Sequence, residues 1–84
     1  MIEVRIRKSA EKEILRLDRK TRDRVIAKLE ELAMKHPHRQ ARKILGHESI
    51  YRVRVGVYRV VYEYEGGTIY VFRVRHRSKA YEGL

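Results

Sequence analysis

Arginine at alternating positions is the feature of this sequence that most strongly suggests chemistry. Arg52 and Arg54 stand two residues apart in an alternating stretch, so on a strand they project from the same face. Arg59 follows shortly after Gly56, and tight pairing of the two strands brings its guanidinium to that face. Folding alone would not collect like charges in one place, whereas a planar guanidinium donates two hydrogen bonds to one phosphate. These residues therefore predict a phosphate-binding site.

A second group of polar side chains ends the last predicted strand. Arg75, His76 and Arg77 follow one another, with Lys79 and Tyr81 close behind. His76 fits two roles, an acid–base group near neutral pH or a phosphate contact between two arginines. Tyr81, taken by itself, predicts no more than a packed aromatic side chain. The group extends the basic surface without fixing its chemistry.

Metal and thiol chemistry find no support in the sequence. It contains no cysteine, which excludes disulfides and cysteine-based zinc sites. Its four histidines show no zinc-ligand spacing, and neither a glycine-rich phosphate loop nor a Ser/His/Asp series is visible. No apolar run reaches the roughly 18 residues that span a bilayer, and the opening residues lack a signal-peptide pattern. We expect a cytoplasmic protein without metal, cofactor or membrane contact.

The charge of the chain is strongly positive and unevenly spread. Lysine and arginine number 21 against 11 acids, a net charge of +10. Residues 1–34 hold 10 bases and 7 acids (+3), whereas residues 35–84 hold 11 bases and 4 acids (+7). A heat-adapted source would explain why 38% of the residues are charged, but thermophile proteins gain charge of both signs. The excess in the second part predicts a polyanionic partner, either a nucleic acid or an acidic protein.

Two helices are predicted in the first part of the chain. Ser9 can cap the first helix, and its buried face is predicted to consist of Ala10, Ile14 and Leu17. A polar break over residues 18–21 follows, where Thr21 can cap the second helix. The core-facing stripe of that helix is predicted to consist of Val25, Ile26, Leu29, Leu32 and Ala33. Pro37 ends it, because the residue before a proline avoids helical angles.

Strands are predicted on either side of the helices. Residues 2–6 alternate between apolar and polar side chains, which indicates a half-buried strand. Alternation returns over residues 51–65, with Gly56 marking a tight turn. The Gly66-Gly67 pair indicates a two-residue hairpin because both positions tolerate positive φ, and a last strand follows from Thr68 to about Arg75.

The predicted order is β-α-α-β-β-β, an α+β fold in which a helical hairpin packs on one face of a mainly antiparallel sheet. Residues 1–84 are expected to form a single domain. Residues 36–49 are predicted to be a basic connector that Ile44 and Leu45 pin to the core. The tyrosines that share a phase with Val60, and are therefore assigned to the core, are Tyr58, Tyr62 and Tyr64.

Three segments resemble the RelE/ParE toxin superfamily. Residues 51–62, which read Tyr-Arg-Val-Arg-Val-Gly-Val-Tyr-Arg-Val-Val-Tyr, look like its central signature. Residues 76–81, His-Arg-Ser-Lys-Ala-Tyr, resemble its closing motif, and Ile44-Leu45-Gly46 matches a short step before the sheet. The element order agrees over the whole chain. The joint presence of arginines and the tail tyrosine is similar to the RelE-like mRNA interferase branch.

The resemblance implies the toxin of a type II toxin–antitoxin system. Such a toxin is an endoribonuclease that enters the ribosomal A site and cleaves messenger RNA there. The chemistry implied is metal-free attack of a ribose 2′-hydroxyl on the adjacent phosphorus, so no cofactor is expected. The implied partners are the ribosome with its message and an acidic, RelB-like antitoxin.

The resemblance also implies a role for particular residues. Arg52 and Arg54 match basic positions near the scissile phosphate, and Arg59 matches an arginine that stabilises the transition state. Arg77 matches a tail arginine assigned to leaving-group protonation or phosphate binding, a role that Arg75 also fits. Tyr81 matches a tyrosine assigned as general base, although His76 leaves the acid–base assignment open. The further residues expected to bind RNA are Arg42, Lys43, Arg75, His76 and Lys79.

Two other functions fit the same sequence. The first is a ParE-like gyrase inhibitor, which would share the fold but lack the nuclease chemistry. The second is a non-catalytic basic module that binds RNA, which exposed aromatic side chains on the sheet would support. The joint presence of Arg52, Arg59, Arg77 and Tyr81 favours the nuclease.

Overall fold

Alternating apolar residues build a sheet in this protein, and two amphipathic segments cover one of its faces. The computed structural model describes residues 2–36 and 38–84, which form two helices and a five-stranded sheet. The elements are β1 (Glu3–Ile6), α1 (Lys8–Leu15), α2 (Arg19–Met34), β2 (Arg42–Lys43), β3 (Ile50–Val55), β4 (Tyr58–Glu65) and β5 (Thr68–His76). The strand order is β1-β5-β4-β3-β2, with β1 parallel to β5 and the other neighbours antiparallel. The predicted α+β fold is confirmed.

The described residues hold one strand that the sequence did not predict. β2 lies inside the predicted connector and pairs with β3, so that Arg42 is opposite Arg52 and Lys43 is opposite Tyr51. Its two residues are both basic and exposed. A strand this short and wholly polar has no alternating pattern, which is why periodicity did not reveal it.

The predicted anchoring of the connector is wrong for Leu45. This side chain is 99% exposed, whereas Ala41, just before β2, is 8% exposed and joins the core. The backbone holds the loop instead, because the N–H of Ile44 donates to the carbonyl of Ile50 at 2.8 Å.

Both helix caps differ from the predicted ones. The N–H of Arg7 donates to the carbonyl of Val71 at 2.9 Å, so the chain follows β5 up to Arg7 and α1 begins immediately after it. Ser9 therefore lies inside the first turn of α1. At the start of α2, the Asp18 carboxylate accepts from the backbone N–H of Thr21 at 3.2 Å, so Asp18 is the cap and Thr21 supplies the donor.

The core lies between the helices and the sheet. The predicted faces of both helices are largely confirmed, except that Ile26 is 43% exposed and Ala33 is half-buried. Tyr62 is fully buried, while Tyr58 and Tyr64 pack against the core from its margin, as predicted. Leu17, predicted on the face of the first helix, joins the core from the bend after α1 ends. The helical residues in the core are Ala10, Ile14, Val25, Leu29 and Leu32. α2 ends at Met34, and Pro37, which was predicted to end it, lies outside the described residues.

None of the helices in the described parts of the chain is long and apolar enough to cross a membrane.

A histidine among tyrosines joins the end of α2 to the sheet. The His36 ring stacks on Tyr64 with 3.9 Å between ring centroids and meets Tyr51 edge-on at 4.7 Å. Its Nε2 lies 3.1 Å from the hydroxyl of Tyr62. Burial lowers the pKa of His36 from its ordinary value of 6.5, and burial raises the pKa of Tyr62. The cluster therefore favours the neutral imidazole.

We expect His36 to make the fold less stable as the solution is acidified. In the unfolded chain the ring takes up a proton near pH 6.5, whereas in the folded chain it does so at a lower pH. The unfolded state then binds more protons between the two pKa values, and the free energy of unfolding falls as pH drops below about 6.5, by at most about 1.4 kcal/mol per pH unit. NMR titration of the His36 ring and denaturant unfolding at several pH values measure both effects.

The His36→Gln variant is the control, because it cannot titrate and should lose this part of the pH dependence. A ring midpoint at or above 6.5, or the same slope in His36→Gln, would contradict the expectation.

Candidate functional site

Arginine side chains gather on the sheet face opposite the helices, called here the open face. Directly opposed residues in neighbouring antiparallel strands point to the same side of a sheet. Within residues 38–84, the register forms one cross-strand row from Arg42 through Arg52 and Val61 to Arg73. A second row runs from Arg54 through Arg59 to Arg75. We call these residues the arginine rows: Arg42, Arg52, Arg54, Arg59, Arg73 and Arg75.

A β-bulge brings β5 into these rows. Val61 of β4 is opposite Arg73 and Tyr62 is opposite Val71, so Phe72 has no partner across the strand pair. The extra residue shifts the alternation of side chains along β5 by one position, so Val71 and Val74 both face the core although they are three residues apart. Strict alternation from Val71 would have put Arg73 and Arg75 in the core. The three-residue spacing between the two valines is the sequence signal of the bulge.

Two members of the rows make no contact that would occupy their guanidinium groups. Among the described residues, the side chains of Arg52 and Arg54 form no hydrogen bond or ion pair. Arg54 is exposed and Arg52 is half-buried. These two arginines are thus the ones available to bind an anion.

The remaining guanidinium groups bind protein atoms. Arg42 Nη1 donates to the carbonyls of Arg39 (2.8 Å) and Ala41 (3.0 Å). Arg59 Nη1 donates to the carbonyls of Gly56 (3.0 Å) and Tyr58 (2.9 Å), which fixes the side chain over the β3–β4 turn. Such bonds hold a guanidinium in place while leaving its other N–H groups free to donate.

Arg75 has a different environment from the other members. Its Nε lies 2.6 Å from a carboxylate oxygen of Glu13, and the other oxygen of Glu13 accepts from the backbone N–H of Val74 at 3.1 Å. Glu13 thus ties α1 to the edge of β5 beyond the end of β1. The charge of Arg75 is partly neutralised before any ligand arrives.

The electrostatics of the rows centre on Arg52. Burial lowers the pKa of Arg52, and the cations of Arg54, Arg59 and Arg42 lower it further. Tyr81 acts on the same pKa in the opposite direction and raises it. A bound anion would relieve the repulsion among the cations.

A recess at the β2 side of the open face is lined entirely by polar residues. Its volume is about 320 Å³, and we call it the anion recess: Arg39, Gln40, Arg42, Arg52 and Arg54. Arg39 was not among the residues predicted to bind RNA, because it lies in a loop where no periodicity gives its direction. Lys43, which was, is opposite Tyr51 and so belongs to the helix-covered face.

Residues 77–84, called here the tail, fold back as a series of turns. The N–H of Arg77 donates to the carbonyl of Val57 at 2.7 Å, and that of Lys79 donates to the carbonyl of His76 at 2.9 Å. Ala80 is fully buried, and Tyr81 is 43% exposed. Arg73, a member of the arginine rows, donates to the carbonyls of Ala80 and Glu82, so the structure brings the backbone at Tyr81 to the rows.

His76 presents one ring nitrogen away from the tail. Its Nδ1 accepts from the backbone N–H of Ser78 at 3.1 Å, so in the neutral ring the proton resides on Nε2. A second recess of about 340 Å³ is lined by His76, Arg75, Lys79 and Tyr58, with Glu13 of α1 on its other side. Of the residues predicted to bind RNA, Arg42 thus lines the anion recess and three line the second recess, whereas Lys43 lines neither. The Arg77 side chain is exposed.

No group of three or more His, Asp or Glu side chains placed to hold a metal ion occurs in residues 2–36 and 38–84.

Comparison with known proteins identifies relatives of this chain. The family described as the ParE toxin of the type II toxin–antitoxin system, parDE, matches residues 4–81. Toxin RelE3 of Methanocaldococcus jannaschii is 46% identical over 41 residues, which are 49% of this chain and 47% of that protein. The match thus spans about half the length of this curated relative.

Solved structures are similar over nearly the whole chain. The RelB–RelE antitoxin–toxin complex from Methanococcus jannaschii matches with a TM-score of 0.79 and 28% identity, covering 95% of this chain and 98% of that chain. The isolated RelE toxin of E. coli matches with a TM-score of 0.80 and 21% identity, covering 90% of this chain and 84% of that chain. The second likeness shows a shared fold.

We expect phosphate to stabilise the folded protein through the anion recess. An anion that binds only the folded state raises its stability, by about 1.4 kcal/mol at a concentration ten times the Kd. For a domain of this size, each kcal/mol corresponds to a rise in Tm of about 4–8 °C. Thermal unfolding in phosphate, compared with sodium chloride at equal ionic strength, measures the effect.

Two single-charge variants separate specific binding from general screening. Arg54→Gln should lose most of the phosphate-induced rise in Tm, whereas Lys43→Gln, on the helix-covered face, should keep it. Equal losses in the two variants would show that phosphate acts only on net charge.

Proposed function

Because the chain belongs to the ParE toxin family of type II toxin–antitoxin systems, in its RelE-like branch, we propose that it is a toxin that cleaves messenger RNA in the ribosomal A site. The observation that supports this most directly concerns Arg52 and Arg54. Their guanidinium groups bind no protein atom among the described residues, and they share the open face with Arg59, whose guanidinium is held in place by two carbonyls. Family membership alone would not distinguish a nuclease from another toxin. The arrangement of cations does favour phosphate chemistry.

The proposed reaction is an in-line attack of a ribose 2′-hydroxyl on the adjacent phosphorus. The 2′-oxygen loses its proton and bonds to phosphorus while the bond to the 5′-oxygen breaks and that oxygen gains a proton. The products are a 2′,3′-cyclic phosphate and a free 5′-hydroxyl. The step needs no redox partner and no added water, because the attacking and leaving oxygens both belong to the RNA. We propose that it proceeds without a metal because protein side chains would supply the proton transfers and the charge stabilisation.

Arginines stabilise the transition state in this proposal. Negative charge concentrates on the nonbridging oxygens of phosphorus as the 2′-oxygen attacks, and donors already in position stabilise it without reorganising. Arg59 fits this role because two backbone carbonyls hold its Nη1 in place. Arg52 and Arg54 would bind the phosphate and the neighbouring backbone of the RNA.

The tail supplies the proposed proton-transfer groups. Tyr81 lies between two residues whose carbonyls are held by Arg73 of the arginine rows, and it is our candidate for the group that takes the 2′-hydroxyl proton. On the leaving-group side, Arg77 is a better candidate than Arg75, since Glu13 already occupies the guanidinium of Arg75. His76, with its proton on Nε2, is placed to donate to a phosphate or to the leaving oxygen.

We further propose that residues 1–84 act as one toxin domain in the cytoplasm, where an acidic, RelB-like antitoxin neutralises them. The Methanococcus jannaschii structure that this chain resembles is itself an antitoxin–toxin complex. The net charge of +10 and the arginine rows give an acidic partner a complementary surface.

The alternatives have weaker support from the described residues. The family name is that of a ParE toxin, so inhibition of gyrase remains the second candidate function. A stacking surface for RNA bases is less well supported, because Tyr58, Tyr62 and Tyr64 pack in or against the core. A cleavage assay distinguishes the nuclease from both.

We expect Arg59→Ala to lower the rate of message cleavage on programmed ribosomes by roughly 100-fold or more, as for the loss of one preorganised donor. Binding to the ribosome should change far less. Single-turnover cleavage with primer extension measures the rate and maps the cut.

The matched control is Arg5→Ala, which removes an exposed arginine on β1 that pairs with Glu3 and does not belong to the rows. It should cleave like the unmodified protein. Near-normal cleavage by Arg59→Ala would remove this residue from the site, and gyrase inhibition without cleavage would favour the alternative.

The antitoxin should associate at a rate that falls as salt is raised, since complementary charge steers the encounter of the two proteins. Co-purification with the product of the neighbouring gene, followed by stopped-flow association at increasing ionic strength, measures this. Tight binding at a salt-independent rate would mean that apolar docking dominates.

A further inference from the structure

Arg73 belongs to the arginine rows, but its guanidinium is directed at the main chain of the tail. Its Nη1 donates to the carbonyl of Ala80 at 3.0 Å and to the carbonyl of Glu82 at 2.6 Å. These two acceptors belong to the residues on either side of Tyr81. One guanidinium therefore holds the backbone both before and after the tyrosine.

The tail has few other strong contacts near Tyr81. The bonds from the N–H of Glu82 to Lys79 and from the N–H of Leu84 to Tyr81 are 3.4 and 3.3 Å long, beyond the usual range for this bond. The bonds from the N–H of Arg77 to Val57, at 2.7 Å, and from the N–H of Lys79 to His76, at 2.9 Å, anchor only the part of the tail before Ala80. A chain end held by long bonds opens readily unless side chains hold it.

The surroundings of Arg73 show how closely the tail is fitted to it. A Cβ on Gly83 would lie 3.8 Å from Arg73 Nη2, so the backbone passes directly over the guanidinium. Ala80 and Val61, the residue opposite Arg73 on β4, are both fully buried. The salt bridges among the described residues give Arg73 no acidic partner, so the two carbonyls are its observed acceptors.

We propose that Arg73 is a positioning residue that holds the tail, and Tyr81 with it, against the arginine rows and does not itself bind RNA. The proposal rests on the function proposed above, in which Tyr81 takes the proton of the 2′-hydroxyl. Loss of the two bonds would let Tyr81 move away from the phosphate, and a displacement of about 1 Å can cost roughly 100-fold in rate. Binding of the message, which Arg52 and Arg54 would carry, would be unaffected.

The test combines kinetics with a direct measure of tail order. Arg73→Gln should lower single-turnover cleavage by roughly 10- to 100-fold with little change in the substrate concentration at half-maximal rate. Arg73→Lys, which keeps the charge but lacks the planar fork, should recover part of the rate. Arg5→Gln, on the same face, should leave it unchanged.

A double-mutant cycle with Tyr81→Phe separates positioning from phosphate binding. If Arg73 acts through Tyr81, Arg73→Gln should cost little further rate in the Tyr81→Phe background. Additive losses, or a large rise in the half-maximal substrate concentration, would make Arg73 an RNA ligand and overturn the proposal.

Hydrogen exchange decides the structural part without any assay of activity. Backbone amides of residues 80–84 should exchange faster in Arg73→Gln than in the unmodified protein, while core amides such as that of Val60 stay protected. Unchanged exchange in the tail would overturn the positioning role. If the unmodified protein cleaves no message but the tail loosens as expected, the nuclease proposal fails and the structural role of Arg73 stands.

Discussion

Backbone pairing of β3, β4 and β5 determines both where the core lies and where the positive charge collects. Along each strand, successive side chains alternate between the two faces, so a shift of one residue would exchange core and open face entirely. The glycine turns help to fix this register, with Gly56 at φ 59° and the Gly66-Gly67 pair at 57° and 78°. Helix packing, the arginine rows and the place of the tail all follow from it.

Repulsion among the arginines of the open face lowers the free energy of unfolding, and packing of the core must offset this loss. Burial and the cations of neighbouring arginines lower the pKa of Arg52, and Glu13 compensates only Arg75 at the margin. Domains of this kind are stable by only about 5–15 kcal/mol, so a group of like charges is a measurable fraction of the whole. Proteins accept such local conflicts at functional sites, where a ligand supplies the missing counter-charge. A bound anion would relieve the repulsion among the arginine rows.

Strands and helices that rest on a repeating pattern could be predicted from the sequence, whereas features that depend on one or two residues could not. Alternation around Arg54 and Arg59 and the helical stripe of α2 each rest on several residues, so one irregular position does not hide them. β2 is too short to show a period, and the bulge at Phe72 changes the phase of a strand within a single residue. Asp18 and Thr21 are both good caps, and only the geometry of the turn decides between them. The direction of a side chain in a loop, such as Arg39, depends on contacts that no local pattern encodes.

The parallel pairing of β1 with β5 has a consequence for the order of assembly. Glu3 lies opposite Thr68, so the first strand to be synthesised pairs with the last one in the fold. A contact between such distant parts of the sequence forms late, because closing a long loop of chain costs entropy that nearer contacts do not. Arg73 lies in β5 and the tail follows directly after it, so both belong to this last part of the fold. A chain in which β5 has not yet paired would thus lack the completed arginine rows, and the surface that we propose to bind RNA would form only with this last strand.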